Sequence, residues 1–148
     1  MGVREKYARL PPLSPDIEAR LRTLLELIAR HPIRLAYLFG SSARSPKEAE
    51  DIDIAILPMR GFRFRPFYAG LSEWLGTDRL DVVDLRQAPL WLRAKVVETG
   101  VCIYARTPRD RTRRETWVRM QEREGPRYRP APPPERGRMG DEELKRRR

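Results

Sequence analysis

Among its 148 residues the chain has one cysteine, one histidine and no asparagine. A lone Cys102 excludes an intrachain disulfide framework, and its setting in Val101-Cys-Ile-Tyr104 reads as a small buried hydrophobe rather than a nucleophile. His31 precedes Pro32 at an expected helix C-terminus, a place for a dipole contact or plain exposure more than for catalysis. No apolar run approaches the roughly 18 residues of a membrane span, and the N-terminus is not basic-then-apolar. A cytoplasmic protein is expected, with no membrane contact. The missing asparagine, together with abundant Arg and Pro, fits a thermophile or a GC-rich genome.

What is abundant is positive charge, and it is unevenly placed. Residues 1–106 carry 17 Lys+Arg against 13 Asp+Glu, whereas residues 107–148 carry 14 against 8. Such a balance favours polyanionic or acidic partners, RNA or nucleotide included, although a solvated basic surface has the same composition. The length allows one domain with a moderate core. Residues 1–106 read as that domain, 107–124 as a charged helix able to dock a partner, and 125–148 as a Pro/Arg-rich disordered tail.

Within the domain, periodicity predicts helix, strand and turn in alternation. Ser14-Pro15-Asp16 starts a helix over about 15–30, with Ile17, Leu21, Leu24, Leu25 and Ile28 on one side. Leu35–Phe39 is a short apolar strand ended by Gly40, and 51–57 is a second strand in which Ile52, Ile54 and Ile56 face the core while Asp51 and Asp53 face the other way. A helix over 66–76 follows, then a strand at 80–85, a helix over 89–99, a strand at 101–104, and a helix over 109–124 with Trp117 and Met120 as its apolar pair. The expected class is α/β (α+β), a small mixed sheet of about four strands flanked by helices.

The chemistry concentrates between Gly40 and Asp53. Gly40 lets the backbone approach a phosphate because it has no Cβ, and Ser41 offers a hydroxyl at the start of a short helix. Asp51 and Asp53, two apart on a strand, leave one face together and can share divalent cations; a pair of ions about 3.5 to 4 Å apart clamps the attacking and leaving oxygens of a phosphoryl displacement. Magnesium is the default ion, since it prefers carboxylates plus substrate phosphates. A calcium loop of the EF-hand type is contradicted by the apolar Ile-Ala-Ile-Leu continuation, and the bland alternative is an edge strand with solvated acids. A third acid lies in Leu80-Asp-Val-Val-Asp-Leu85, where Asp81 and Asp84 have opposite strand parity and cannot both point at the same ions. Asp84, near the strand end, suits a turn cap. Arg44 follows the Gly-Ser turn closely enough to reach a phosphate or a nearby acid. Arg63 and Arg65, interleaved with aromatics, are candidate phosphate or RNA contacts, whereas Phe67 and Tyr68 read as ordinary helix packing.

On these residues, Gly40-Ser41, Arg44, Asp51-Ile52-Asp53 and the Leu80–Leu85 strand, the chain resembles the minimal nucleotidyltransferases of the DNA polymerase β superfamily, and among them the MNT antitoxins that pair with HEPN ribonuclease toxins. The likeness covers roughly residues 15–106. It implies a polymerase β-like fold, nucleotide binding at Gly40, Ser41 and Arg44, and a magnesium and catalytic site made of Asp51, Asp53 and Asp81. It further implies ATP as substrate and transfer of AMP to a hydroxyl, a tyrosine's, of a HEPN toxin encoded nearby. A binding-only antitoxin and a small-molecule nucleotidyltransferase are the competing readings, the latter short of a domain to enclose its substrate. Ser45-Pro46 and Glu50 depart from the family's usual Gly and Ser or Thr at those places, and Trp117 and Tyr128 stand where the family has helix aromatics used in partner binding.

Overall fold

The computed structural model describes residues 9–124, with side chains as far as residue 121. The tail expected over 125–148, Tyr128 included, lies outside the described residues. The chain runs α1 (Ile17–Arg22), α2 (Leu24–Ile28), β1 (Ile33–Phe39), α3 (Ser41–Arg44), β2 (Ile52–Pro58), α4 (Phe64–Leu75), β3 (Leu80–Asp84), α5 (Leu90–Thr99), β4 (Val101–Ala105) and α6 (Pro108–Glu124). The four strands form one mixed sheet in the order β3-β2-β1-β4. β1 is antiparallel to both of its neighbours, whereas β2 and β3 are parallel, as a strand–helix–strand connection through α4 allows.

The sheet is covered on both faces. Ile52, Ile54 and Ile56 join Ala36 and Leu38 under α1, α2 and α4, where Leu21, Leu24, Ile28, Phe67 and Leu71 complete an apolar layer. On the other face Leu35, Tyr37, Phe39 and Ala55 pack against Leu92 and Val96 of α5. The face carrying Asp51 and Asp53 is therefore no solvated edge: β1 and β2 are buried on both sides, as central strands of a helix-flanked sheet must be.

Three elements differ from expectation for identifiable reasons. The helix predicted over 15–30 starts at Ile17 and breaks at Thr23, because Thr23 Oγ1 donates to Arg20 O and the Trp74 indole donates to Arg20 O and to Thr23 Oγ1, each at 3.2 Å, which draws that turn out of the α-helical ladder. Pro89 caps α5 from outside in extended backbone and is not its first residue. On α6 the pair Trp117 and Met120 is exposed at 43% each, and Val118, 1% exposed, is the residue that packs, against Ala94 and Val97.

α6 finds its partner within the chain. Tyr37 OH donates to Glu115 Oε1 at 2.9 Å, Arg34 pairs with Asp110 at 2.9 Å, and Arg114 donates to Leu85 O at 3.0 Å. Burial, and then Glu115, pushes the Tyr37 phenol far above its usual range. Cys102 is half-buried rather than enclosed, and burial raises its thiol. The His31 ring meets Phe67 edge-on at 5.1 Å, and burial lowers its imidazole. Among the described residues no helix is long and apolar enough to cross a membrane.

Candidate active site

The site is built where β1 ends and β2 begins. Phe39, last in β1, is the register partner of Asp53, so the turn that follows β1 lies over the carboxylate. Gly40 has φ +69°, and a Cβ there would come within 2.5 Å of Asp53 Oδ2. No side chain fits between the turn and the acid, so glycine is required by space as well as by backbone. The serine expected to matter, Ser41, opens α3 half-buried, whereas Ser42, which the sequence did not single out, is fully buried. Its hydroxyl donates to Phe39 O at 3.0 Å and accepts from Asp53 N at 3.3 Å. Ser42 thus ties the turn to the strand that carries the acids. The pattern Gly-Ser-Ser held that signal, because one serine facing outward at a helix start leaves the next facing the core.

Asp51 and Asp53 are buried, at 7% and 6% exposure. β2 and β3 are paired in parallel with Asp53 opposite Asp81 and Ile54 opposite Val82. Residues opposite each other on neighbouring strands share a face, so Asp81 stands on the side of Asp53. Asp84 has the other parity and is engaged elsewhere: its Oδ1 accepts from Arg86 N at 2.9 Å and its Oδ2 pairs with the Arg86 guanidinium at 2.8 Å, closing the turn after β3. Burial, and then the carboxylates of Asp78 and Asp81, raises the phenol of Tyr68 on α4.

The remaining candidates lie around this centre. Arg44 stands exposed as the last residue of α3, Glu50 is exposed beside Asp51, and Ser45 N closes the helix on Ser41 O at 2.9 Å. Arg63 and Arg65 are exposed at the start of α4, while Phe67 is core and Tyr68 is half-buried against it.

Among the described residues no three His, Cys, Asp or Glu side chains form a ready-made ion cage. The donors present fit magnesium nonetheless: they are carboxylate oxygens only, from Asp53 on β2 and Asp51 just before the strand, both buried, beneath a turn that can close on Asp53 Oδ2 because Gly40 has no Cβ. Magnesium keeps open positions for substrate phosphates and does not need an all-protein cage.

The family described as "Polymerase beta, Nucleotidyltransferase" matches residues 22–109, which contain every residue of this site. No curated protein matches the chain by sequence. Solved structures do. A toxin–antitoxin complex with AMP-PNP aligns at TM-score 0.58 and 26% identity, over 70% of this chain and 86% of the other. A Shewanella oneidensis complex of a tri-AMPylated HEPN toxin with an MNT antitoxin aligns at TM-score 0.56 and 25% identity, over 72% and 87%. The MntA–HepT complex aligns at TM-score 0.55 and 25% identity, over 72% and 86%. With its four-stranded mixed sheet, its glycine turn and its paired aspartates, the chain belongs to the polymerase beta nucleotidyltransferase family and is a nucleotidyltransferase.

Proposed function

We propose that this protein is an antitoxin that transfers AMP from ATP, with Mg2+, to a tyrosine hydroxyl of a HEPN ribonuclease toxin in the cytoplasm and thereby neutralises it. The observation that carries the reading is the Asp53–Asp81 register beneath a turn that closes on Asp53 Oδ2 because Gly40 has no Cβ. The class of partner is supported by the similar structures, in which an antitoxin is complexed with a toxin, one with AMP-PNP and one with the toxin AMPylated.

In this reading Asp51 and Asp53 hold Mg2+ and Asp81 completes the set from β3. Bound there, Mg2+ would screen the phosphate oxygens and lower the pKa of the acceptor hydroxyl. Gly40 lets the backbone meet the triphosphate, Ser41 donates its hydroxyl to a phosphate oxygen, and Arg44, exposed at the end of α3, reaches over the same group. The acceptor oxygen bonds to the α-phosphorus as the bond to the bridging oxygen of the β-phosphate breaks. Pyrophosphate leaves with that electron pair, and the hydroxyl proton passes to Asp81 and on to water.

The test incubates the protein and the product of its neighbouring gene with α-labelled ATP and magnesium, using wild type and the Asp51→Asn/Asp53→Asn variant. Label on the neighbour, lost with the variant, is the expected result. Toxin neutralisation by the variant equal to wild type would show that occupancy of the toxin, not catalysis, is the mechanism.

A further inference from the structure

Asp51 lies outside the strand ladder, since β2 begins at Ile52. The backbone on either side of Asp51 is held from the start of β3. The residues on its two sides are both bonded to one arginine: Arg79 Nη1 donates to Glu50 O at 3.1 Å, and Ile52 N donates to Arg79 O at 2.8 Å. The same guanidinium is braced from behind, with Nε donating to Pro11 O at 2.7 Å and Nη2 to Leu10 O at 2.8 Å, while Arg79 N donates to Thr77 Oγ1 at 3.0 Å. Arg79 immediately precedes β3, two residues before Asp81. One residue is therefore bonded to both flanks of the first acid and sets the start of the strand that bears the third.

We propose that Arg79 is the positioning residue of this nucleotidyltransferase, locking Asp51 into line with Asp53 and Asp81 for divalent cation and nucleotide. The inference rests on the metal-site reading given above. An arginine suits the task because three carbonyls, from Leu10, Pro11 and Glu50, surround it in different directions and its planar fork carries five N–H donors at fixed angles. A lysine ammonium concentrates its donors at one point and cannot span them. The guanidinium donates to three backbone carbonyls, so its effect on the site is on the alignment of Asp51. In the sequence, Thr77-Asp78-Arg79 reads as an ordinary polar turn, because its partners are backbone carbonyls 29, 68 and 69 residues away.

The test uses the full chain as wild type, Arg79→Ala, Arg79→Lys and Asp53→Asn, with Mn2+ as a spectroscopic stand-in for Mg2+ and AMP-PNP as the nucleotide. Mn2+ binding is read by electron paramagnetic resonance, the exchange of the Ile52 amide by hydrogen–deuterium exchange, and folding by thermal melting. Arg79→Ala is expected to weaken Mn2+ binding about tenfold or more at a temperature where it is fully folded, the usual consequence of losing an outer-shell partner, and to speed Ile52 exchange. Arg79→Lys, which cannot span the three carbonyls, is expected to fold but to bind Mn2+ as weakly as Arg79→Ala. If Arg79→Ala melts earlier yet binds Mn2+ as wild type does, Arg79 is only a clasp for residues 10–11 and the proposal is overturned. Should Arg79→Ala not fold, Arg79→Lys is read alone, and wild-type affinity in it overturns the proposal equally. Failure of the metal-site reading looks different: wild type and Asp53→Asn then take up no Mn2+ alike, and Ile52 exchange in Arg79→Lys decides whether the clamp on Asp51 exists.

Discussion

On the face covered by α1, α2 and α4, β2 presents Ile52, Ile54 and Ile56, each no more than 1% exposed, to a wholly apolar layer. On the opposite face the same strand presents Asp53 and Ala55, with Phe39 of β1 opposite Asp53 and Asp81 of β3 in register with it. The even residues of this strand thus serve one apolar layer, while its odd residues serve a second apolar layer through Ala55 and the candidate site through Asp53. The arrangement holds both sets rigidly, because a one-residue slip would send every isoleucine to the acid side and every acid into the apolar layer. Precision at the site is a by-product of burial on the other side of the same strand.

The comparison is broken most severely by removing the chemistry and leaving the packing. Asp53→Asn is expected to lower AMP transfer about a thousandfold, roughly 4 kcal/mol of barrier, with a melting temperature close to wild type. Labelled-ATP assays alongside a thermal melt check both halves. Ile54→Ala is the mirror experiment: it should cost about 3 kcal/mol of stability by chemical denaturation while leaving transfer near wild type wherever the protein is folded. Equal losses of transfer and stability in both variants would show that the two faces do not divide the work.

Gly40→Ala sits on the boundary between them. A positive φ and a Cβ within 2.5 Å of Asp53 Oδ2 should destabilise the protein by about 2 kcal/mol and depress transfer as the acid is displaced. Tyr37→Phe sharpens the contrast from the α6 side, since it removes the hydrogen bond to Glu115 at a cost of about 1 kcal/mol. It also changes the alkaline limb. The folded phenol titrates above its ordinary value of 10.0, so the folded state holds the proton longer than the unfolded state. That contribution is complete below about pH 10 and is lost as pH rises beyond it. Denaturation midpoints across pH 9 to about 11.5 should therefore fall less steeply in Tyr37→Phe than in wild type. Asp84→Asn has the smallest expected effect, under about 1 kcal/mol for an exposed pair with Arg86 and no loss of transfer. Abolished transfer in that variant would move the third acid from Asp81 to Asp84.

Much of this was legible because it is local. The isoleucine alternation around Asp53, the glycine ending β1, and the left-handed Gly76 that closes α4 just where the helix over 66–76 was expected to end each follow from short-range rules of period and backbone freedom. What was not legible depends on contacts between distant residues. The break at Thr23 is bonded both locally, by Thr23 Oγ1 to Arg20 O, and by Trp74, 51 residues away. Val118 packs instead of Trp117 because α5 offers Ala94 and Val97 at that height, a fact no helical wheel of α6 contains. Ser42 was not singled out in the sequence, and its role follows only from the turn that sets its hydroxyl against Asp53 N. Arg79 was not singled out in the sequence either, because its guanidinium meets Glu50 O and Pro11 O only through the fold.

The amino-acid order by itself determined the element types and the alternation of isoleucine with Asp53 and Ala55 along β2, since these depend on neighbours within a few residues. Tertiary structure alone decided that the Asp53 face is buried, that Asp81 and not Asp84 stands beside Asp53, and that Arg79 braces both flanks of Asp51. Parity within β3 separates its two acids, yet only the register between β2 and β3, set by packing on both sides of the sheet, states which of them meets the pair.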